Sequence, residues 1–260
     1  SLVGMHFTDP NSIGGGSGDP DEPDWYALID ATNPASMYQN INLTGQPVVN
    51  GNRVGAVLDI SGNGNHWRAW DDDSTRTEYK SANGGYIEIS DNYHRGMAID
   101  GTNRLVDGRK PFWVVMAIRL GGPINSHAVL MDKDYSDNAP LGDELAAAIV
   151  EEGLFCRKIV NDVPIGATVN ADAITTSTWG VVSFGYDGTN LTARVNLETK
   201  GVVEDTRPLA DDDGYMPLRI GGNGPSIVHY KAVGFLDYYP GSAEEVAAIE
   251  AVANIAGLTL

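Results

Sequence analysis

From Trp25 onward, short runs of β-branched, aromatic and aliphatic residues alternate with clusters of Gly, Asn, Asp and Ser. This punctuation limits the available folds more than any other feature. Branched and aromatic side chains suit a pleated surface, and Gly, Asn and Asp suit the turns between strands. Residues 54–60 run into the dense turn signal Ser61-Gly62-Asn63-Gly64-Asn65. Residues 86–89 alternate, and 97–100 run into Gly101-Thr102-Asn103. Residues 112–120 are too continuously apolar for an edge and predict a central strand. Residues 128–131 follow. Residues 180–186 and 191–196 flank Asp187-Gly188, a hairpin signal. Residues 218–222 and 227–239 add two more strands.

Helical signal is sparse. Leu145-Ala146-Ala147-Ala148-Ile149-Val150 has helical composition but strand-like surroundings, and both readings stand. Near the C-terminus, Ser242 and Glu245 have the spacing of an N-cap and its capping box. Val246, Ile249, Val252 and Ala253 then recur at helical spacing, and Gly257 is placed to end the helix. Many strands and one terminal helix predict an all-β sandwich rather than an α/β fold.

The chain has 260 residues, and one sandwich can reach about 250. Residues 25–260 are therefore read as one domain. Residues 1–24 are rich in Gly, Ser, Pro and Asp and are read as an arm. The arm is expected to contact another subunit, with the chain a homo-oligomer. The formal net charge of −18 disfavours nucleic acid and anionic membrane surfaces, whose affinity rests on Lys and Arg. Solubility is its plainest consequence. No apolar stretch approaches the roughly 18 residues of a spanning helix, so membrane insertion is not expected. No signal-peptide pattern opens the sequence. The single cysteine, Cys156, has no internal disulfide partner and reads as a small buried hydrophobe.

Several segments together resemble the concanavalin A-like, laminin-G-like jelly-roll modules of bacterial and phage surface proteins. Asp30-Ala31-Thr32-Asn33-Pro34-Ala35-Ser36 resembles their opening strand and turn. Leu58-Asp59-Ile60-Ser61-Gly62-Asn63-Gly64-Asn65-His66 resembles the family's turn after an early strand. Ala98-Ile99-Asp100-Gly101-Thr102-Asn103-Arg104-Leu105, the stretch from Trp179 to Asn196, Leu218-Arg219-Ile220-Gly221-Gly222, and residues 235–245 follow in the family's order. The resemblance implies a concanavalin A-like jelly-roll β-sandwich with a short C-terminal helix. It does not imply one function, because lectins, hydrolases, lyases and structural modules share such folds. Two departures stand out: an extension at residues 197–201 and a long loop at 131–144.

Glycan hydrolysis needs two carboxylates flanking the scissile bond, about 5 to 9.5 Å apart. The resemblance implies they would stand on one strand as E-x-D-x-E, and no such run occurs. Glu88 and Asp91 are wrongly spaced; Glu151-Glu152 and Glu244-Glu245 are adjacent pairs. A uronate lyase needs basic and aromatic groups on one face. His229-Tyr230-Lys231 comes nearest, but alternation turns Tyr230 away from the other two. There is no G-x-S-x-G elbow, no Cys/His cluster for zinc and no P-loop. Asp132, Asp134, Asp137 and Asn138 gather oxygen ligands that suit calcium, although not at EF-hand spacing. Asp71-Asp72-Asp73 and Asp211-Asp212-Asp213 read as solvated turns. Sugar binding needs aromatic planes beside hydrogen-bonding groups. Trp67, Arg68, Trp70, Asp71 and Tyr135 are the candidate glycan-binding residues, with Tyr93 and His94 further loop aromatics.

The expectation from sequence is thus a non-enzymatic protein displayed on a virion or in an extracellular setting, such as a head fibre, decoration protein or tail adhesin. Its partners would be a cell-surface polysaccharide and other subunits. A carbohydrate-active enzyme or its binding module is the alternative, and a purely structural module is the third reading.

Overall fold

The structure, a computed structural model, describes residues 22–45, 48–69, 77–89, 96–100, 110–124, 127–134, 144–150, 153–161, 163–197, 199–207, 218–221 and 226–260. Among these, the early strands are β1 (Ala27–Asp30), β2 (Met37–Tyr38), β3 (Ala56–Val57), β4 (Trp67–Ala69), β5 (Thr77–Lys80), β6 (Tyr86–Ile89) and β7 (Met97–Ile99). The middle strands are β8 (Phe112–Leu120), β9 (His127–Asp134), β10 (Glu144–Val150), β11 (Gly153–Val160) and β12 (Val163–Val169). β13 (Gly180–Tyr186), β14 (Asn190–Val195), β15 (Thr199–Glu204), β16 (Arg219–Ile220), β17 (Val228–Leu236) and helix α1 (Ser242–Ala256) complete the chain.

The strands form two antiparallel sheets. The eight-stranded sheet has the order β15-β14-β13-β8-β17-β6-β5, with β1 also paired to β17. The nine-stranded sheet has the order β12-β11-β10-β9-β16-β7-β4-β3-β2. This is the jelly-roll β-sandwich with one C-terminal helix that the sequence predicts.

β8 lies at the centre of the eight-stranded sheet, as its apolar run requires. Phe112, Val114, Met116, Ile118 and Leu120 face the core between the sheets. Trp113, Val115 and Ala117 face outward, where α1 covers them with Ala248, Ile249, Val252 and Ala253. β17 does the same: Val228, Tyr230, Val233 and Phe235 enter the core, and Ala232 and Leu236 lie beneath the helix. Its register against β8 shifts between Tyr230 and Ala232, a bulge at Lys231. Gly234 completes the outer layer, because a Cβ there would lie 2.2 Å from the Trp25 ring.

The stretch from Asp59 to His66 is a structural clamp. The Asp59 carboxylate accepts from the backbone N–H of Leu28 (2.9 Å), Ser61 (2.9 Å) and Asn65 (3.1 Å), and from the Ser61 hydroxyl (2.8 Å). The side-chain amides of Asn63 and Asn65 donate to the carbonyls of Trp25 (2.6 Å) and Tyr26 (2.7 Å). These bonds fasten the loop to the chain entering β1.

Residues 145–150 resolve as strand. Leu145, Ala147 and Ile149 alternate into the core while β10 pairs with both β9 and β11. The alanines hid this period of two. The extension at 197–201 leads into β15, an added edge strand. Cys156 is buried in the core, and desolvation pushes its thiol up to about 12.

The capping-box reading of α1 is corrected. Gly241 is the N-cap, Ser242 is already helical, and no side chain caps the helix. The Glu245 carboxylate turns inward, where Arg194 (2.8 Å) and Lys200 (2.9 Å) hold it. Two cations stabilise a buried carboxylate better than a backbone N–H would. Gly257 does end the helix, at φ 67°. Of the arm, residues 1–21 lie outside the described residues. At its end the Asp24 N–H donates to the Tyr238 hydroxyl at 3.1 Å.

Removing the Glu245 charge leaves two cations facing a neutral group. Glu245→Gln is expected to lower unfolding free energy by about 3 kcal/mol, read from urea denaturation. An unchanged midpoint would show that the helix docks without this pair.

Candidate functional site

Of the sequence-predicted residues, Trp67, Arg68, Asp132 and Asp134 fall among the described residues. Trp67 is fully buried. Its indole Nε1 donates to the Met97 carbonyl at 2.9 Å, and its ring meets Tyr230 edge-on at 5.8 Å. β4 pairs with both β3 and β7, and alternation sends Trp67 inward and Arg68 outward. Trp67 therefore presents no face to a sugar. Arg68 is held by Asp100 (2.7 Å) and the Ile41 carbonyl. Trp70, Asp71 and Tyr135 lie outside the described residues, as do Tyr93 and His94. Asp132 and Asp134 belong to strand β9 rather than a loop, opposite Ala146 and Glu144. Asp137 and Asn138 lie outside the described residues. Among the described residues, no group of three His, Cys, Asp or Glu side chains could hold a metal ion.

A different cluster forms on the outer face of the eight-stranded sheet, just past the end of α1. Beyond Ala117 and Ala232 the helix no longer covers the sheet, and the outward positions change character. β8 contributes Arg119, β17 contributes His229 and Lys231, β6 contributes Tyr86 and Glu88, and the approach to β13 contributes Trp179. Register places His229 directly opposite both Arg119 and Glu88.

One hydrogen-bonded chain runs through the cluster. The His229 Nδ1 lies 3.0 Å from an Arg119 terminal nitrogen, and Nε2 lies 2.9 Å from Glu88 Oε2. A guanidinium can only donate, so Nδ1 accepts, and Nε2 carries the proton and donates to Glu88. Lys80 bridges Glu88 (3.5 Å) and Glu78 (2.5 Å). The hydrogen bond from His229 and the charge of Lys80 hold the Glu88 carboxyl below its ordinary value against the opposing pull of burial.

Aromatic rings frame this chain. Tyr86 stacks on His229 at 4.5 Å and meets Trp179 edge-on at 5.6 Å. The Arg119 guanidinium carbon lies 5.4 Å from the Tyr86 centroid and 5.0 Å from that of Trp179. Lys231 Nζ lies 4.9 Å from the Trp179 centroid and donates to the Ala256 carbonyl at the helix end (3.0 Å). The C-terminal pole of a helix favours a cation there. Burial, and then the charge of Arg119, lower the Lys231 pKa. Trp179 and Arg119 are partly exposed, whereas His229 and Lys231 are buried. The site thus offers an indole, a guanidinium and a desolvated ammonium on a rigid sheet.

No protein-family model matches the chain, and no curated protein sequence does. Solved structures share its fold. The binding domain of botulinum neurotoxin serotype D, in complex with N-acetylneuraminic acid, is similar with a TM-score of 0.57 at 9% identity, over 88% of this chain and 51% of that one. The receptor-binding domain of botulinum neurotoxin type G gives 0.53 at 11%, over 88% and 52%. A sialidase of Trypanosoma rangeli, bound to a difluorinated sialic-acid analogue, gives 0.55 at 10%, over 89% and 33%. The chain spans about half the length of the toxin domains and a third of the sialidase. At these identities the likeness shows the fold alone, a β-sandwich.

Two outcomes follow. Trp67→Ala is expected to cost about 3–5 kcal/mol in denaturant unfolding, as a core truncation does; a loss within 1 kcal/mol would contradict its burial. Glu88, lowered in the folded state, contributes stability that is complete above its unfolded value of about 4.3 and is lost as pH falls through the lowered folded value. The stability advantage of the wild type over Glu88→Gln should therefore be constant near neutrality and shrink on acidification below that point. An advantage that persists unchanged to pH 2 would refute the linkage.

Proposed function

We propose that this domain is a carbohydrate-binding module that holds its glycan without cleaving it, at the outer-face cluster centred on Trp179 and Arg119. The observation that carries the reading is the partly exposed indole, braced by Tyr86 and flanked by two cations on a rigid sheet. Sugar sites need that combination of an apolar plane and fixed polar groups. The fold agrees, since similar sandwiches occur in a toxin binding domain solved with N-acetylneuraminic acid. The reading extends to display on a virion or cell surface, the setting that the sequence resemblance implies. Weak single sites suit repeated display, because avidity raises affinity by about 10² to 10⁴.

One observation favours an enzyme: Glu78 and Glu88 stand directly opposite each other on β5 and β6. Their environment argues against it. A glycosidase needs one carboxyl kept protonated; Glu88 is pulled the other way, and the Lys80 ammonium bridges it to Glu78. Both nitrogens of His229 are committed to partners, so it is not a free base for a lyase either.

The test is a glycan array probed with the wild-type chain and Trp179→Ala, with melting temperatures recorded for both. Retention by the wild type and about tenfold weaker binding by the variant, or about 1.4 kcal/mol, is expected with a small change in melting. Equal binding by both proteins would remove the site. New reducing ends that vanish in Glu88→Gln would instead make the domain a hydrolase.

A further inference from the structure

We infer that the glycan is acidic, and that Arg119, with Lys231 behind it, reads a carboxylate carried on the sugar ring. This rests on the carbohydrate-binding reading and names the ligand class at that site.

The argument begins with the scarcity of positive charge. The chain carries 17 Lys and Arg against 35 Asp and Glu, so an unneutralised cation is unexpected. Elsewhere Arg68, Lys80, Lys158, Arg194, Lys200 and Arg207 all pair with carboxylates. Among the described residues, Arg119 and Lys231 do not. Among the described residues, the contacts of Arg119 are an imidazole and two aromatic rings. Those of Lys231 are a backbone carbonyl and the Trp179 ring. The carboxylate nearest the chain of contacts, Glu88, is engaged by His229 and Lys80.

The partners of Arg119 orient its fork without cancelling its charge. Lys80 and Glu88 fix the His229 tautomer, and His229 Nδ1 accepts one guanidinium proton. These are positioning residues that act through the imidazole. Arg119 Nε is buried and has no hydrogen-bond partner among the described residues. A partly desolvated guanidinium charge with no carboxylate partner among the described residues is costly, and an anion beside its partly exposed end relieves that cost. Lys231 is 7% exposed and adds positive potential from beneath Trp179, with its own charged form disfavoured by burial and by Arg119. A planar guanidinium matches a planar carboxylate with two parallel bonds. The indole beside it supplies the apolar face for the same ring. A uronate or a sialate meets both requirements at once.

The experiment uses the full chain and titration calorimetry at two salt concentrations. The probes are a polyuronate oligosaccharide, its carboxyl-reduced counterpart, an N-acetylneuraminic-acid-terminated oligosaccharide and a sulfated neutral oligosaccharide. At least one carboxylated probe should bind. Reducing its carboxyl should weaken it about tenfold or more, and added salt should weaken it further. Arg119→Lys, which keeps the charge but loses the fork, should lose most of the preference for the carboxylated over the reduced form. Glu88→Gln, which changes only the group that orients His229, should reduce it less. Equal affinity for the carboxylated and reduced forms would overturn the inference and leave the carbohydrate reading intact. Retention of the sulfated probe alone would also overturn it. Binding of none of these and of no array glycan would sink the carbohydrate reading itself. The comparison of carboxylated with reduced probe on the wild type decides the matter even if a variant fails to fold.

Discussion

The bulge at Lys231 governs how the eight-stranded sheet meets both of its neighbours. Val228 and Tyr230 point into the core on one side of it, Val233 and Phe235 on the other. Strict alternation through the strand would keep only one of those pairs inside. If Val228 and Tyr230 stayed, Val233 and Phe235 would turn outward and Ala232 and Gly234 would face the opposite sheet. A one-residue slip of this kind exchanges whole faces. The extra residue resets the alternation, so both halves of β17 bury their large side chains. It also leaves Lys231 and Ala232 on the same outward side, one polar and one apolar, at the point where the helix cover ends.

That boundary determines where function can reside. An outward sheet face must be either covered or polar. α1 covers Trp113, Val115, Ala117, Ala232 and Leu236. Glu245 locks its first turn to β14 and β15 through Arg194 and Lys200. At its last turn the Ala256 carbonyl receives the Lys231 ammonium. Past this contact the outward positions are Arg119, His229, Glu88 and Tyr86. The helix anchor and the cation cluster therefore share one residue, and a change in how α1 docks is transmitted directly to Lys231 and Trp179.

The fold was legible because its signals are local. The apolar run of β8, the Asp-Gly turn before β14 and the terminal helical spacing each announce an element within a few residues. The segment around Asp59 was recognisable for the same reason, and its chemistry proves to be a clamp on β1 rather than a ligand site. What escaped notice lacks a local signature. β10 is written largely in alanine, so its alternation is invisible without the partners that pair with it. β12 shows Pro164 and Gly166, residues depleted in strands, and survives at the edge of its sheet. The capping box failed because Glu245 had a stronger tertiary claim, from two cations far away in sequence.

The candidate site was illegible for a deeper reason. Tyr86, Arg119, Trp179 and His229 come from four separate stretches, and only strand register brings them together. His229-Tyr230-Lys231 is visible in the sequence as a basic segment, and Tyr230 faces the core against Trp67 as alternation requires. In a sheet, the neighbour of an outward side chain is the outward side chain of the next strand, not the next residue. The phenol beside His229 is therefore Tyr86, delivered by the pairing of β6 with β17. The aromatic residues expected to bind sugar stand beside polar turns in the sequence, and alternation sends Trp67 inward. Sheet sites are written across strands at matched register, so a search along one strand finds the scaffold and misses the constellation.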